Sequence, residues 1–484
     1  MSISSALSNA LSGLTVASRA ADVVSSNIAN ATTEGYGVRS LSVAARVNGN
    51  AGQGAWVTGV SRHEDAVLVA ARRRAEAELG QAGTRATHLA KLETLIGTPD
   101  QAGSIAARTA AFGAALTAAA AGPHDHTRMG AAVAAAVALA GQINAASDGV
   151  QADRLQSDRA ISGAVEEINA ALAELATLNT RIRQGAGGGR DISALLDAQA
   201  VLVNRIAPLI PLESRRDATG ALQLYSADGQ ALLDGRPAEL GFAPAAVMSP
   251  DMTVADGTLS GLTLNGRALV PGDGLSGGRL AALFALRDDW APEAQAKLDA
   301  VARDLAARFE APGLDPTRPP GAPGLFTDGG MALDPAAETG LAGRLRVNAA
   351  VLPEAGGAVW RLRDGLAAVA EGPSGEAAVL LAQVEALTAL QPTASGGFSG
   401  VARSFDGLVA DHVAGIGVAR QAAETDQAHI AARHGALATE EAAQGVDTDA
   451  EMQRLLRIEQ IFAANARVVS AAEEMIDRLI RIGA

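Results

Sequence analysis

The chain contains no cysteine among its 484 residues, and this absence removes several kinds of chemistry at once. Disulfides, thiolate zinc sites and a cysteine nucleophile are all impossible without a thiol. Lysine occurs only at Lys91 and Lys297, and neither lies in the pattern G-x-x-x-x-G-K-[ST], so the sequence excludes a P-loop. Acidic side chains outnumber basic ones by 53 to 39, and the net charge of −14 disfavours binding to nucleic acid or to an anionic membrane surface.

Signals for the secretory pathway and for membrane insertion are also missing. The first basic residue is Arg19 and serines interrupt the early apolar run, so we expect no Sec-type signal peptide. The alanine-rich stretch 130–143 is apolar, but it is shorter than the about 20 residues that a membrane-spanning helix requires. The sequence therefore predicts no membrane insertion.

Both ends of the chain carry instead a strong apolar pattern with alternating steps of three and four residues, the spacing of a coiled coil. The N-terminal rows are Ile3, Ala10, Ala17 and Val24, and Leu7, Leu14, Ala21 and Ile28. The C-terminal rows are Leu455, Phe462, Val469 and Ile476, and Ile458, Asn465, Ala472 and Leu479. Chain ends are normally poorly ordered unless something holds them. Two such ends are typical of a subunit that polymerises through paired terminal helices.

We predict that the terminal helices, about residues 4–29 and 449–482, lie side by side, with Leu14 and Ala21 near Phe462 and Val469. The alternative is two ordinary core helices of one globular domain, since amphipathic helices are common. Asn465 is either a tolerated polar residue at the edge of the contact or a buried amide that sets its register.

The last helix has a predicted start, because Thr448 and Glu451 have the spacing of a capping box. Upstream, helical patterns extend over about 64–96, 104–122, 127–184 and 192–206, and from 278 to 309, with helix again from about Phe398. Between residues 208 and 270 turn signals are frequent and short runs alternate, which predicts antiparallel strands and hairpins. The expected fold class is therefore multidomain and mainly α, with long helices, coiled-coil-like paired termini and a central inserted antiparallel β domain.

Three motifs resemble catalytic or metal sites. Residues 272–277 fit G-x-G-x-x-G, but no second parallel strand ending in an acidic residue follows. Residues 274–278 fit the G-x-S-x-G nucleophile elbow, but the chain lacks the alternating α/β pattern of that fold. We expect a tight turn with Ser276 as a helix N-cap. His124, Asp125 and His126 lack further ligands nearby, so a solvated turn is expected there, with no catalytic, cofactor or metal site in the chain.

The ends also carry a family resemblance. Residues 26–36 (SNIANATTEGY) resemble the SxNIANxxTxGY block of the bacterial flagellar axial proteins, and residues 6–14 resemble the start of the same proteins. The stretch from Gly445 to Ile476 resembles their closing helix. Glu34 departs from the pattern, since the family usually has proline in that place.

Internal blocks resemble one branch of these proteins, the flagellar hook-associated protein 1 family. Residues 276–283 (SGGRLAAL), 286–288 (LRD) and 292–298 (PEAQAKL) are similar to one of its blocks, and residues 195–202 (LLDAQAVL) are similar to another. The resemblance implies a structural, non-enzymatic subunit that joins the flagellar hook to the filament. The alternatives left open are another axial protein of hook or rod type, and an enzyme that uses the 272–278 loop.

The resemblance further implies an extracellular location on the flagellum after type III export without a cleaved signal peptide. Its implied partners are copies of the chain, the hook protein, the second hook–filament junction protein and an export chaperone on the C-terminal helix, with no cofactor. The expected division is a terminal axial core (1–48 with 445–484), a helical rod (49–206 with 276–444) and an outer β domain (207–275). The expected assembly interface consists of Ile3, Leu7, Leu14, Val24, Ile28, Asn30 and Tyr36, and of Leu455, Ile458, Phe462, Asn465, Val469, Ile476 and Leu479.

Overall fold

The structure, a computed structural model, describes residues 3–48, 51–188, 190–269 and 274–483, and these are mostly helical. The helices are α1 (Ile3–Ala29), α2 (Ala66–Ile96), α3 (Ile105–Ala121), α4 (His126–Gly187), α5 (Ser193–Ile206), α6 (Gly278–Ala285), α7 (Ala291–Phe309), α8 (Leu341–Arg344), α9 (Arg361–Asp364), α10 (Ala378–Thr388), α11 (Phe405–Ala443) and α12 (Thr448–Gly483). The strands are β1 (Val38–Asn48), β2 (Ala51–His63), β3 (Leu212–Arg216), β4 (Leu222–Ser226), β5 (Ala231–Asp234), β6 (Arg236–Pro237), β7 (Leu240–Gly241), β8 (Thr263–Leu264), β9 (Arg267–Ala268), β10 (Phe326–Asp328) and β11 (Leu345–Val347). The expected fold class, mainly α with small antiparallel sheets, is confirmed.

Local side chains set the starts of the long helices. Asp65 accepts from the backbone N–H groups at the start of α2, and Ser104 does the same for α3. Asp125 accepts from the N–H of Thr127 at 2.8 Å and so caps α4. The sequence His124-Asp125-His126 is therefore a helix start, and the described ranges contain no cluster of three side chains that could hold a metal ion.

The helix α4 is the longest element, with 62 residues and a length of about 93 Å at 1.5 Å per residue. Its first half packs with α3, α7, α10 and the start of α11 around one hydrophobic core, which includes Phe112, Phe309 and Phe326. Its second half packs with α5, α6 and strands β3–β8 around a second core. One helix therefore connects two separate apolar interiors.

Buried ion pairs occupy the boundary between these two cores. The Arg154 guanidinium donates from Nε to the carbonyl of Arg287 at 2.7 Å, and it also bonds two carbonyls of the 249–252 loop. The fully buried Arg287 donates to Asp158 at 2.8 Å and forks onto Asp288. Arg287 lies in a π-helical turn, Leu286–Trp290, which joins α6 to α7 without a loop. Since every charge here has a partner, the desolvation cost of burying them is offset by strong hydrogen bonds.

The β region forms two small sheets, ordered β3-β4-β5-β6 and β7-β8-β9, with every pair antiparallel. Two asparagines of α4 hold these sheets by their backbone. Asn179 accepts from the Leu222 N–H at 2.7 Å and donates to the Leu222 carbonyl at 2.8 Å. Asn169 bonds the N–H and carbonyl of Leu240 in the same way. The strands share their core with α4, so the division at residues 207–275 stays a prediction.

Residues 311–397, which the sequence pattern left unassigned, consist of short elements around the first core. Strands β10 and β11 pair antiparallel, with Phe326 opposite Val347. Helix α8 lies between these strands, and 3-10 turns at Ala349–Val351 and Pro353–Ala355 lead from β11 to α9 and α10. This segment gave no clear period because few of its elements exceed one helical turn.

Three expected helix starts were wrong by a few residues. Asp447, not Thr448, caps α12, because its carboxylate accepts from the N–H groups of Asp449 and Ala450, each at 3.0 Å. Ser276 does not cap α6, as described below. Helix α11 begins at Phe405 rather than near residue 398, because Ser404 accepts from the N–H of Gly407 and caps it there.

The prediction of no membrane insertion considered only the stretch 130–143, but the apolar part of α4 is longer. An 18-residue window of this helix has a mean hydropathy of 1.5, enough by length and composition alone to cross a membrane. However, Met129, Ala136, Leu139 and Ile143 are buried in the first core. The window thus has the character of a core helix.

One buried histidine predicts a pH effect on stability. Burial lowers the pKa of His412 to about 4, and Lys297 acts in the same direction. Between about pH 6.5 and pH 4 the unfolded chain therefore binds a proton that the folded chain resists, so the free energy of unfolding should fall as the pH falls through this window. The shift corresponds to about 3 kcal/mol, and above pH 7 this histidine should contribute no pH dependence.

The measurement is urea unfolding of the wild type and of His412→Leu from pH 7.5 to pH 4.5. We expect a shallower loss of stability in His412→Leu, while His429→Leu, at an exposed position of the same helix, should keep the wild-type slope. Equal slopes for His412→Leu and the wild type would show that the imidazole is not buried as a neutral group.

Candidate assembly interface

The terminal helices α1 and α12 pack side by side, as the matched apolar patterns predicted. Two contacts define their direction. Asn27 donates to the carboxylate of Glu451 at 3.2 Å, and a Cβ on Gly13 would lie 2.8 Å from the side chain of Asn465. The step from Asn27 to Gly13 goes back fourteen residues along α1, and the matching step from Glu451 to Asn465 goes forward fourteen residues along α12. The pair is therefore antiparallel.

This direction corrects one part of the predicted pairing. Leu14 lies opposite residue 464, within a turn of Phe462 as expected. Ala21 lies opposite residue 457, twelve residues and about 18 Å along the axis from Val469. The expected contacts advanced in the same direction along both helices, and heptad spacing alone does not distinguish that order from its reverse.

The predicted interface residues are buried to different degrees. On α1, Val24 is buried and Ile3, Leu7, Leu14 and Ile28 are half-buried. On α12, the half-buried members are Leu455, Ile458, Asn465, Val469 and Ile476, whereas Phe462 and Leu479 are 46% and 58% exposed. The single chain thus covers only part of the predicted face of α12.

The sequence-based prediction missed a second apolar row on α12. Ile461, Val468, Met475 and Ile482 recur every seven residues, one position before the predicted row, and each is at least 44% exposed. Leu456 and Ile480 add to this surface. A contiguous exposed apolar surface of this kind usually marks a site of contact with another protein.

Asn465 lies against Gly13 of α1. Its amide donates to the carbonyl of Ile461 in its own helix at 3.0 Å, so it is neither fully buried nor bonded across the pair. Gly13 faces it, and the missing side chain of that glycine creates the space for the amide. A role of Asn465 in setting the register stays a prediction, with Gly13 as its partner.

The buried Asn27 has all the hydrogen bonds that its amide can readily make. Its Oδ1 accepts from the hydroxyl of Tyr36 at 2.8 Å and from the N–H of Arg39 at 3.0 Å. Its Nδ2 donates to the carbonyl of Arg39 at 2.9 Å and to Glu451. One side chain thus joins α1, the loop after it, strand β1 and the first turn of α12.

Of two further residues predicted at the interface, Tyr36 bonds Asn27 within this network, whereas Asn30 bonds Ser26 and Thr33 outside it. Tyr36 bonds Asn27 and lies under the Arg39 guanidinium, 4.8 Å from its ring centroid. Asn30 donates to the carbonyl of Ser26 at 2.9 Å and closes the end of α1. The segment 26–36 therefore folds back on its own helix and orients Asn27.

We call α1, the loop after it, the β1–β2 hairpin and α12 the terminal unit. A second carboxylate, Asp197 of α5, connects this terminal unit to the helical rod. It accepts from the N–H of Gly37 at 3.0 Å, from Nη2 of Arg39 at 2.6 Å and from Nε of Arg62 at 2.8 Å. The two arginines lie on opposite strands of the β1–β2 hairpin. The sequence signal for Asp197 was its place in the block 195–202, but nothing local indicated its partners.

The glycine-rich loop before α6 is held by hydrogen bonds to the turn between β4 and β5. Ser276 donates from its hydroxyl and from its N–H to the carboxylate of Asp228, at 2.7–2.8 Å. The N-cap position belongs to Gly277, whose φ of 80° favours glycine. Ser276 therefore faces the strand turn instead of capping the helix. Gly272 and Asp273 lie outside the described residues.

Comparison with known proteins assigns family relationships to most of the chain. Residues 89–314 match the family described as the helical domain of flagellar hook-associated protein FlgK. Residues 442–482 match the C-terminal family of the basal body rod proteins FlgEFG, and residues 7–36 match the flagella basal body rod protein family.

Among curated proteins, the chain is 26% identical over 318 residues to flagellar hook-associated protein 1 of Escherichia coli K12, covering 63% of this chain and 56% of that one. It is 28% identical over 262 residues to flagellar hook-associated protein 1 of Salmonella typhimurium LT2, covering 52% and 47%. The chain thus spans about half the length of the curated relatives it matches. A solved structure of the flagellar hook junction protein FlgK from Burkholderia pseudomallei has 22% identity, covers 53% of this chain and 46% of that one, and gives a TM-score of 0.45, too low to support a comparison.

The Asn27 network gives a direct prediction. Asn27→Ala should remove four hydrogen bonds to Tyr36, Arg39 and Glu451, which should weaken the junction of α1, β1 and α12 by about 2–3 kcal/mol. Amide exchange should then become faster over residues 3–29 and 448–483. Asn30→Ala is the matched control, because its side-chain bonds reach only Ser26 and Thr33. Equal exchange in the two variants would contradict a special role for Asn27.

Proposed function

Because the chain belongs to the flagellar hook-associated protein 1 family, we propose that it is a structural subunit of the bacterial flagellum that joins the hook to the filament. It polymerises through its terminal helices. The observation that carries this proposal is the α1–α12 pair, which buries one apolar face and exposes a second along α12. A folded monomer gains nothing from such a surface, whereas a subunit of a polymer uses it for its neighbours.

The predicted interface residues are proposed to act in two groups. Leu7, Leu14, Val24, Ile28, Leu455, Ile458, Val469 and Ile476 hold the two helices together within one subunit. Phe462 and Leu479, together with the row from Ile461 to Ile482, contact neighbouring subunits. This division is supported by exposure, since the first group is at least half-buried and the second is not.

The proposed partners follow the position of a junction subunit. They are further copies of the chain, the hook protein, the second junction protein and, before assembly, an export chaperone that covers the C-terminal helix. The exposed apolar row of α12 supports a chaperone, because a secreted subunit with such a surface would otherwise associate early. The subunit is proposed to leave the cell through type III export, without a cleaved signal peptide.

Another axial protein of hook or rod type remains the first alternative. The families matched at residues 7–36 and 442–482 are rod families and do not discriminate between these proteins. The match at residues 89–314 favours the hook-associated protein, because it covers the helical rod between the ends.

An enzyme that uses the 272–278 loop is the second alternative. Each strand pair in the described ranges is antiparallel, whereas nucleotide sites and nucleophile elbows of this type form on parallel sheets. The hydroxyl of Ser276 is bonded to a carboxylate of a strand turn, and no histidine bonds it among the described residues.

The assembly proposal predicts that Val469→Asp stops filament attachment. Val469 is half-buried against α1, and a carboxylate there places an unpaired charge in the helix contact. Cells should make hooks but release filament subunits into the medium, which electron microscopy and blots of the medium would detect. Ser470→Asp, one residue along on the exposed side, should leave swimming intact; normal filaments in Val469→Asp cells that carry the variant at the junction would refute the proposed contact.

The structural role of the loop predicts no catalysis. Ser276→Ala should lose only the hydroxyl bonds to Asp228, while the backbone N–H keeps its bond, with a cost of about 1–2 kcal/mol in thermal unfolding. Gly277→Val should destabilise more, because its φ is 80° and an added Cβ would lie 3.0 Å from Pro211. Hydrolysis of a simple ester by the purified chain, lost in Ser276→Ala, would establish the enzyme instead.

A further inference from the structure

A cavity of about 780 Å³ opens where the terminal unit meets the helical rod. Its walls come from the loop after α1, the base of the β1–β2 hairpin, the start of α2 and the end of α11. Arg73 of α2 lines this cavity. The hydrogen bonds of Asn27 and of Asp197 described above lie beside this cavity, and none of them involves Arg73.

Arg73 is 7% exposed, yet only one of its three guanidinium nitrogens has a hydrogen bond to a described residue. Nε donates to the side-chain oxygen of Asn204 at 2.9 Å. The neighbouring Arg72 donates to that same oxygen and pairs with Glu76 and Glu441. The Nη1 and Nη2 groups of Arg73 thus have four N–H donors and no acceptor in the described part of the chain.

Four acidic side chains line the cavity, and three of them already have partners elsewhere; the fourth is Glu34. Glu441 pairs with Arg72, Glu64 pairs with Arg62, and Asp65 caps α2. Burial, and next the adjacent Arg72, lower the pKa of Arg73 to about 10, which is the signature of a cation without a full counter-charge. A buried guanidinium in this state favours an incoming anion that it can bind with two parallel bonds.

We propose that this cavity is a binding site for a carboxylate, held by the fork of the Arg73 guanidinium at the joint between the terminal helices and the rod. The chain has 53 acidic side chains, so a neighbouring copy is the nearest source of such a group. The cavity is many times larger than the about 30 Å³ of one water molecule, and it therefore admits a side chain as well as a free organic acid. The neighbour as source depends on the proposed polymerisation; the site itself does not.

The test follows the Nε–Hε resonance of Arg73 in the ¹⁵N spectrum of the full-length chain, assigned by its loss in Arg73→Lys. Succinate is added to dilute monomer at constant ionic strength, with sodium chloride as the compensating salt. We expect a saturating shift of this resonance in the wild type and in Arg74→Gln, whose side chain is exposed one residue along. No shift, or an equal shift of every arginine resonance, would overturn the site.

A second arm identifies the source. The protein concentration is raised without succinate, and self-association is measured by sedimentation. A shift of the Arg73 resonance, together with a self-association constant at least about tenfold weaker in Arg73→Gln than in Arg74→Gln, assigns the carboxylate to a second copy. A shift with succinate alone assigns the site to a free acid. If the chain does not self-associate at all, the proposed polymerisation fails while the succinate arm still decides the site.

Glu34 provides the internal check. It lines the same cavity from the loop after α1, is exposed and has no ion pair among the described residues. If Glu34 already occupied the Arg73 fork in solution, Glu34→Gln would shift the Arg73 resonance without any added acid. That result would overturn an external ligand; an unchanged resonance in Glu34→Gln supports it.

Discussion

The buried amide of Asn27 is the constraint on which the terminal part of the molecule depends. A buried amide without partners is costly, so its four hydrogen bonds require the loop, strand β1 and the start of α12 to meet at one point of α1. This requirement fixes where α12 begins relative to α1. The apolar contact then follows along both helices, and Gly13 lies against Asn465 within it.

Charged groups connect the terminal helices to the rod at Asp197. Asp197 holds both strands of the β1–β2 hairpin against α5, and Arg72 connects α2 to α11 and α5. Such contacts are directional and partly exposed, in contrast to the two buried apolar cores along α4. The joint therefore has the properties of an interface between two units, and its cavity is the natural place for a group from outside.

Inside the rod, one helix connects two interiors, and its middle carries Arg154 and Asp158 because the ends of both cores meet there. Arg287 belongs to the sequence block 286–288, and its fully buried guanidinium explains why arginine and aspartate stand side by side in that block. Asn169 and Asn179 of the same helix bond the backbone of the strands in a similar way. Polar side chains of α4 thus position neighbours that apolar contacts alone would leave free to slide.

The sequence by itself determined most of the helices and the pairing of the two terminal helices. Periodicity reports such features directly, because side chains three and four residues apart share one side of a helix. It also indicated the antiparallel strands after residue 208, where turn residues punctuate short alternating runs. The block 26–36 was visible as a unit, although the role of Asn27 within it was not.

Only the tertiary structure decided the direction of the terminal pair, the partners of Asn27 and Asp197, and the exposure of the second row on α12. A heptad pattern is unchanged when one helix is reversed, so spacing could not distinguish the antiparallel order. Asn27 and Glu451 are 424 residues apart, and no local preference encodes a bond over that distance. The N-cap positions at Asp447 and Gly277 were missed for a related reason. Ser276, the predicted cap of α6, bonds Asp228 of a distant turn instead, and such a bond is not visible in the local sequence.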